Sequence, residues 1–345
     1  MTKQKEPAWQ KEPDRQKEIA GIFPDYMREK WRQALSRADK LQEIRLGIGQ
    51  PVRLRIAGEE RFLSSQGEIC REPKEAWRMT GRELDELISH ICRYSPYAFE
   101  NEIRQGFITL PGGHRVGMAG QVVLNEKGAV RNMTHIRFLN IRISHEVVGA
   151  AGEVMPYLYE DARFLNTLLI SPPGCGKTTM LRDIVRQVSG GNAYGPGRQV
   201  GVVDERSEIG GSFMGIPQND LGMRTDVLDG CPKVQGMMLL MRSMAPDVVA
   251  VDEIGSSEDM KAVFQVLQCG GSVAATMHGD SMRDVECRLQ AGGGGEASQG
   301  QYRPGELFDR FLFLEKRQGK CRVREIRGKS GERLFPGGKE GICSG

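Results

Sequence analysis

Residues 165–179 read LNTLLISPPGCGKTT, a short apolar run that stops at a turn rich in Pro and Gly. The segment that follows, TMLRDIVRQVS (residues 179–189), has apolar side chains at helical spacing and predicts a helix. At such a turn, successive backbone N–H groups and the helix dipole favour a bound anion. The strand, turn and helix together predict a phosphate-binding loop.

The loop matches the Walker A pattern with one departure. Lys177 can reach the β- and γ-phosphates of a nucleotide, and the Thr178 hydroxyl can ligate Mg²⁺. Ser171 stands where the pattern begins with Gly, and Ser takes turn conformations less freely than Gly. We expect the bound ligands to be ATP and Mg²⁺, and the alternative is a connecting loop without a ligand. The expected phosphate-binding residues are Ser171, Pro172, Pro173, Gly174, Cys175, Gly176, Lys177, Thr178 and Thr179.

A pair of acidic residues follows a second apolar strand. Residues 247–254, DVVAVDEI, place Asp252 and Glu253 directly after the apolar run 248–251. In parallel α/β sheets, ligands collect at the carboxyl ends of the strands. We therefore expect Asp252 to hold Mg²⁺ through water and Glu253 to polarise the attacking water. The alternative is that the two acids only cap the next helix.

Two further strands end in polar residues. The segment VGVVDERSEI (200–209) supplies Asp204, Glu205 and Glu208, and at least one of them is expected to help position Mg²⁺ or water, with Glu205 as the catalytic candidate. The strand SVAATMHGDS (272–281) ends in Thr276 and His278. We expect His278 to sense the γ-phosphate, although a histidine in this position can also be structural.

Length and composition restrict the class of protein. With 345 residues the chain is long enough for two domains. Its net charge of +3 does not by itself predict nucleic-acid binding, although residues 315–345 contain nine Lys or Arg against four Asp or Glu. That basic tail can contact anionic lipid or nucleic acid, or can simply aid solubility.

The cysteines and the apolar segments indicate the compartment. Eight cysteines are scattered without a C-x-x-C pair, which is typical of a reducing compartment and gives no metal site. Neither a signal peptide nor an apolar stretch of spanning length is apparent. We expect a cytoplasmic protein that is at most peripheral to a membrane.

The pattern of predicted helices and strands changes near residue 150. Before it, helices alternate with antiparallel hairpins, and Thr80 with Glu83 predicts a capping box at a helix start. After it, continuous apolar strands alternate with helices, as in a sheet covered on both faces. The predicted fold is an α/β P-loop NTPase, a RecA-like doubly wound sheet, with a smaller N-terminal α+β domain.

These patterns also predict domain boundaries and loops. The predicted divisions are a flexible arm over 1–20, an α+β domain over 21–150, a P-loop ATPase domain over 151–328 and a flexible tail over 329–345. Residues 190–197 and 292–295 are expected to be flexible because they are rich in Gly. The segment CRVREI (321–326) is expected to be an edge strand.

Four segments in this order resemble one family. SPPGCGKTT (171–179), VVDERSEI (202–209), RSMAPDVVAVDEIG (242–255) and AATMHGDS (274–281) look like the Walker A, aspartate-box, Walker B and histidine-box motifs of the type II/type IV secretion ATPase superfamily. Residues 215–237 and 104–122 resemble one sporulation branch of it. The wider superfamily usually has Gly where this chain has Asp252, and the tetracysteine module of some members is absent from the sequence.

The resemblance implies a function and an assembly. It implies an Mg²⁺-dependent ATPase that powers a membrane-embedded transport apparatus, which in the sporulation branch is the channel from mother cell to forespore. It further implies a homo-oligomer, a hexameric ring peripheral to the membrane on the mother-cell side, in which arginines of the first domain reach a neighbour's nucleotide. The matching candidates here are Arg115, Arg142 and Arg137, and Arg224 is a fourth.

Two other functions remain open at this stage. A nucleic-acid motor is compatible with the basic tail and with the Arg-rich strands of the first domain. However, aromatic residues make up only 6% of the chain and are not interleaved with basic ones, which argues against a stacking surface for single strands. A scaffold that binds nucleotide only to assemble is the third possibility, and the intact Asp252–Glu253 pair argues against it.

Overall fold

The computed structural model describes residues 14–37, 40–93, 95, 99–291, 303–317 and 319–335. The chain divides into two compact units, Met1–His145 and Glu146–Gly345. Over the described ranges we find no helix with the length and apolar character that crossing a bilayer requires.

The first unit combines helices with an antiparallel sheet. Its elements are α1 (Asp14–Ala20), α2 (Asp25–Leu35), β1 (Leu41–Gly47), β2 (Arg53–Ile56), β3 (Glu59–Leu63), β4 (Ile69–Cys70), α3 (Gly81–Ile91), α4 (Glu100–Gln105), β5 (Phe107–Thr109), β6 (Arg115–Leu124) and β7 (Val130–Arg142). The strands pair in the order β4-β3-β2-β1-β7-β6-β5, and each pairing is antiparallel. Thr80 and Glu83 form the predicted capping box at the start of α3.

The predicted flexible arm needs correction at its C-terminal end. Residues 14–20 form α1, in which Ile19 is fully buried. The Glu18 carboxylate lies 2.7 Å from Nε2 of the buried His114. A helix of seven residues is too short to be stable alone or to show an apolar period, so it depends on these tertiary contacts. The remainder of the predicted arm, residues 1–13, lies outside the described residues.

The second unit is built on a mainly parallel sheet. Its elements are β8 (Tyr159–Glu160), β9 (Arg163–Phe164), β10 (Thr167–Ser171), α5 (Lys177–Gly190), β11 (Val200–Asp204), β12 (Thr225–Asp229), α6 (Lys233–Ser243), β13 (Val248–Val251), α7 (Ser257–Gln268), β14 (Ser272–His278), α8 (Met282–Ala291), α9 (Pro304–Leu307), β15 (Arg310–Arg317), β16 (Lys320–Gly328) and β17 (Arg333–Phe335). The main sheet has the order β12-β11-β13-β14-β10-β15-β16-β17. It is parallel from β12 to β15 and antiparallel from β15 to β17.

Helices cover both faces of this sheet. Leu169 of β10 packs in a buried cluster with Leu181 and Ile184 of α5. Its neighbour Leu168 points to the other face, into a cluster with Met237 of α6 and Val263 of α7. Because successive residues of one strand are buried on opposite faces, the strand reads as a continuous apolar run. The doubly wound α/β fold predicted from the sequence is confirmed.

Several local predictions differ from the structure. Residues 190–197 take a defined turn, closed by the Asn192–Gly195 bridge and by the Asn192 amide, which donates to the Tyr159 hydroxyl over 3.1 Å. The segment 321–326 belongs to β16, which lies between β15 and β17 and is not an edge strand. The predicted flexible tail is strand at β17, while residues 336–345 and the Gly-rich 292–295 lie outside the described residues.

Candidate functional site

The phosphate-binding loop predicted from the sequence connects β10 to α5. Gly174 and Gly176 have φ angles of 73° and 81°, in the left-handed region where a side chain is strained. Gly176 is the N-cap of α5, so no side chain caps the first N–H groups of this fourteen-residue helix. A Cβ on Gly176 would lie 3.2 Å from the Cβ of Cys321. The loop therefore presents backbone N–H groups of a helix N-terminus in a geometry that suits an anion.

Lys177 is buried at the first position of α5. Its ammonium group donates to the carbonyl oxygens of Ser171 over 3.0 Å and of Pro172 over 3.3 Å. Burial lowers the pKa of Lys177, and the carboxylates of Asp252 and Glu253 offset this only in part. Burial removes water from around the Lys177 ammonium group and so disfavours its positive charge. A bound anion would offset this cost, so the buried ammonium group favours anion binding.

His278 connects Lys177 to Glu253. Lys177 Nζ lies 3.0 Å from Nδ1 of His278, and Nε2 of His278 lies 3.0 Å from Oε1 of Glu253. Because an ammonium group only donates, Nδ1 must accept and the imidazole proton must sit on Nε2, which donates to the carboxylate. The register pairs Ser171 with His278 and Val251 with Ala275, which brings the ends of β10, β14 and β13 together.

Asp252 lies between two hydroxyl groups. Thr178 Oγ1 donates to Asp252 Oδ2 over 2.7 Å, and the hydroxyl of the buried Thr276 donates to Asp252 Oδ1. The N–H of Glu253 donates to Thr276 Oγ1 over 2.9 Å, which holds Glu253 at a φ of 53°. Such left-handed geometry in a non-Gly residue is strained and is found at functional sites where neighbours fix it.

The hydroxyl of Thr178 and the carboxylate of Asp252 fit Mg²⁺. This ion commonly keeps several waters and takes one or two protein oxygens together with phosphate oxygens. Within the described part of the chain, no three His, Cys, Asp or Glu side chains converge into a complete metal cage. The Thr178 hydroxyl and the Asp252 carboxylate form a donor set suited to a metal that arrives with a phosphate ligand.

The acids after β11 have other partners. Asp204 is buried and accepts the N–H groups of Glu208 and Gly210, each over 2.8 Å. Burial raises the pKa of Asp204 to about 6, although those backbone hydrogen bonds act in the opposite direction. Glu205 pairs with Lys233 over 2.9 Å. The structure therefore does not bring Glu205 to the Lys177 cluster, and its catalytic role stays a prediction.

Arg206 contacts the cluster although the sequence pattern did not single it out. Its Nη1 donates to Oε2 of Glu253 over 2.9 Å. The only sequence cue is its place within an acidic turn that follows a buried strand, next to Glu205. Exposed arginines commonly follow strands, so this cue is not specific.

The arginine candidates of the first unit lie on neighbouring strands. Arg115 of β6 is in register with Arg142 of β7, and the Arg115 guanidinium lies 3.5 Å from the centre of the Phe107 ring. Like charges placed directly opposite each other on a sheet are destabilising. Arg137 contacts Asp85 over 3.4 Å. In the second unit, Arg224 Nη1 donates to the Ser189 carbonyl over 2.9 Å.

Solved structures with low sequence identity share this fold. The ATPase DotB of Legionella pneumophila aligns with a TM-score of 0.59 at 16% identity, covering 92% of this chain and 83% of that chain. The pilus retraction motor PilT, solved with bound ADP, aligns with a TM-score of 0.56 at 15% identity, covering 89% and 83%. These likenesses confirm the predicted fold class, the α/β P-loop NTPase fold.

A sequence relative and a family profile agree on the branch. Stage III sporulation protein AA of Bacillus subtilis (strain 168) is 39% identical over 322 residues, which cover 92% of this chain and 96% of that protein. The profile of the family described as "Sporulation stage III, protein AA" matches residues 13–334. The chain therefore belongs to the stage III sporulation protein AA family.

Proposed function

We propose that this chain is an Mg²⁺-dependent ATPase that converts ATP and water to ADP and phosphate. The proposal rests on one observation: side-chain hydrogen bonds form a continuous row from Lys177 through His278 to Glu253, and a further one joins Thr178 to Asp252. This row joins a phosphate-binding group to a carboxylate that can act on water. The ATPase DotB and the pilus retraction motor PilT share the fold, and PilT was solved with bound ADP.

Residues 171–179 are the proposed phosphate site. The N–H groups at the start of α5 point at the phosphates, and Lys177 exchanges a neutral carbonyl acceptor for a charged phosphate oxygen. An ammonium group and a phosphate oxygen carry opposite charges, so this exchange adds a Coulombic attraction that a carbonyl acceptor does not supply, and it favours the bound nucleotide. Gly174 and Gly176 allow the backbone to approach closely.

Thr178 and Asp252 are the proposed Mg²⁺ site. When bound, the ion neutralises phosphate charge that develops during transfer. The Thr276 hydroxyl fixes the Asp252 carboxylate, so that its Oδ2 stays beside Thr178. With Asp252 assigned to the ion, Glu253 is the carboxylate that can act on water.

Glu253 is the proposed group that orients and polarises the attacking water. Its carboxylate is held at Oε1 by His278, and its backbone N–H is held by Thr276. Since His278 also contacts Lys177, it can report the state of the phosphate site to Glu253. Positioning and electrostatic stabilisation are the main sources of rate in phosphoryl transfer.

The output of this cycle is proposed to be work on a membrane apparatus. Membership of the sporulation family suggests the channel between mother cell and forespore as that apparatus. We propose a homo-oligomer, a hexameric ring that associates peripherally with the membrane from the cytoplasmic side. In such a ring Arg115 and Arg142 act on the nucleotide of a neighbouring subunit, where a trans-acting arginine stabilises transition-state charge.

Nucleotide binding by a Lys177→Ala variant tests the proposal. Isothermal titration calorimetry with Mg²⁺-ADP is expected to show uptake by the wild-type chain and none by the variant. Lys261→Ala is the control, since Lys261 lies exposed on α7, and it should bind like the wild type. Wild-type affinity in Lys177→Ala, or no uptake by the wild type, would refute the assignment of the site.

A further inference from the structure

The loop after β11 is folded around a buried carboxylate. Asp204 accepts the N–H groups of Glu208 and Gly210, each over 2.8 Å. Backbone N–H groups that point at one carboxylate close residues 204–210 into a compact turn. The path of the chain through this loop is thus fixed from inside.

Two contacts fix the same loop from outside. Ser207 Oγ donates to Asp229 Oδ1 over 2.6 Å, and Lys233 Nζ lies 2.9 Å from Glu205 Oε2. Arg206 lies between these two anchored residues. Its backbone is therefore held in place, although its side chain is 63% exposed.

The Arg206 guanidinium reaches the cluster at one atom. Nη1 donates to Oε2 of Glu253 over 2.9 Å, while Nε2 of His278 faces Oε1 of the same carboxylate over 3.0 Å. Each carboxylate oxygen therefore has its own donor. With both oxygens held, the plane of the carboxylate is defined and not only its position.

Sheet order separates Arg206 from the phosphate-binding lysine. The order β11-β13-β14-β10 places Arg206, Glu253, His278 and Lys177 in this sequence along one edge of the sheet. Three strand spacings amount to about 14 Å. Arg206 and Lys177 are thus too far apart to bind one phosphate oxygen, and the contact that connects Arg206 to the cluster is its hydrogen bond to Glu253.

We propose that Arg206 is a positioning residue that sets the orientation of the Glu253 carboxylate toward water. This inference rests on the proposed function, because it assigns a task to Arg206 only if Glu253 acts on water. Without Arg206 the carboxylate keeps one donor, His278, and turns about that contact. Turnover then falls, whereas nucleotide affinity stays unchanged because it is set by Lys177 and the phosphate-binding loop.

The first measurement is steady-state hydrolysis with the full chain. Arg206→Ala is expected to lower kcat by about 10- to 100-fold and to leave the Kd for ADP within about 2-fold of the wild type. Arg206→Lys keeps the charge without the planar fork and should recover part of the loss. Arg242→Ala, at an exposed arginine of α6, is the control. Exposed ion pairs add little stability, so the melting temperature should stay within about 2 °C of the wild type.

A double-variant cycle with Glu253→Gln separates this inference from the proposed function. Single-turnover rates are measured with enzyme in excess for the wild type, both single variants and the double variant. If Arg206 acts through Glu253, Arg206→Ala has no further effect in the Glu253→Gln background. An equal loss in both backgrounds, or an unchanged kcat in Arg206→Ala, overturns the inference and leaves the ATPase proposal intact. Wild-type turnover by Glu253→Gln overturns both.

Discussion

Replacing Thr276 with valine removes one hydroxyl from the site and keeps the shape of the side chain. Thr276 is buried, donates to Asp252 Oδ1 and accepts from the Glu253 N–H over 2.9 Å. A hydrogen bond to a charged group contributes about 1.5–3 kcal/mol. In Thr276→Val the Glu253 N–H loses its bond to Thr276 but keeps a second acceptor, Asp252 Oδ1 at 3.0 Å, so the loss of that bond adds little. If the full contribution acts in the transition state, turnover falls about 10- to 150-fold.

Phosphate release at saturating Mg²⁺-ATP measures this effect, with ADP affinity in the absence of Mg²⁺ as the reference. ADP affinity should not change, because the hydrogen bonds of the Thr276 hydroxyl join it to Asp252 and Glu253. Thr276→Ser is the matched control, since it keeps the hydroxyl and loses a buried methyl group, at about 1 kcal/mol of stability. The reasoning is refuted if Thr276→Val turns over within 2-fold of the wild type, or if Thr276→Ser loses as much activity.

Three further predictions concern stability and binding. Burial raises the pKa of Asp204 from 3.8 to about 6. The protonated carboxyl therefore stabilises the fold by about 3 kcal/mol below pH 3.8, and this contribution is lost as the pH rises through 6. The free energy of unfolding in urea should show this pH dependence in the wild type and not in Asp204→Asn, and the same pH dependence in both proteins would contradict it. Gly176→Ala puts a side chain on a residue whose φ is 81° and places its Cβ 3.2 Å from Cys321. Calorimetry should therefore show ADP binding at least about 10-fold weaker than in the wild type. Unaltered ADP affinity would argue against this geometry of the loop. Ile19→Ala should lower the free energy of unfolding of the first unit by about 2–4 kcal/mol, because Ile19 is fully buried. A change of less than about 0.5 kcal/mol, measured by thermal unfolding, would mean that α1 does not pack against the rest of that unit.

The local chemistry of the site could be predicted from the sequence because each functional group lies at the end of a buried strand or just beyond the turn that follows it. Apolar runs that stop at the turn before Lys177, at Asp252 or at His278 indicate strand ends, and parallel strands bring those ends to one edge. The capping box at Thr80 was equally accessible, since it depends on residues three apart. In each case the interaction is short-range or follows from one rule of topology.

Interactions that depend on strand order could not be predicted in this way. That β14 lies between β10 and β13, and so inserts His278 between Lys177 and Glu253, follows from crossovers that no local pattern records. The contact of Arg206 with Glu253 spans 47 positions in sequence. Asp204 and Glu205 look alike in the sequence as acids after a strand, but Asp204 is buried whereas Glu205 is half-buried and pairs with Lys233, and this separates their roles.

Phosphate release from ATP by the wild type and by Glu253→Gln, with and without Mg²⁺, tests the ATPase proposal most directly. We predict that the wild type releases phosphate only with Mg²⁺, and that Glu253→Gln binds ATP with wild-type affinity but turns over at least about 100-fold more slowly. Phosphate release by Glu253→Gln at the wild-type rate, or none by the wild type with Mg²⁺, would contradict the proposal.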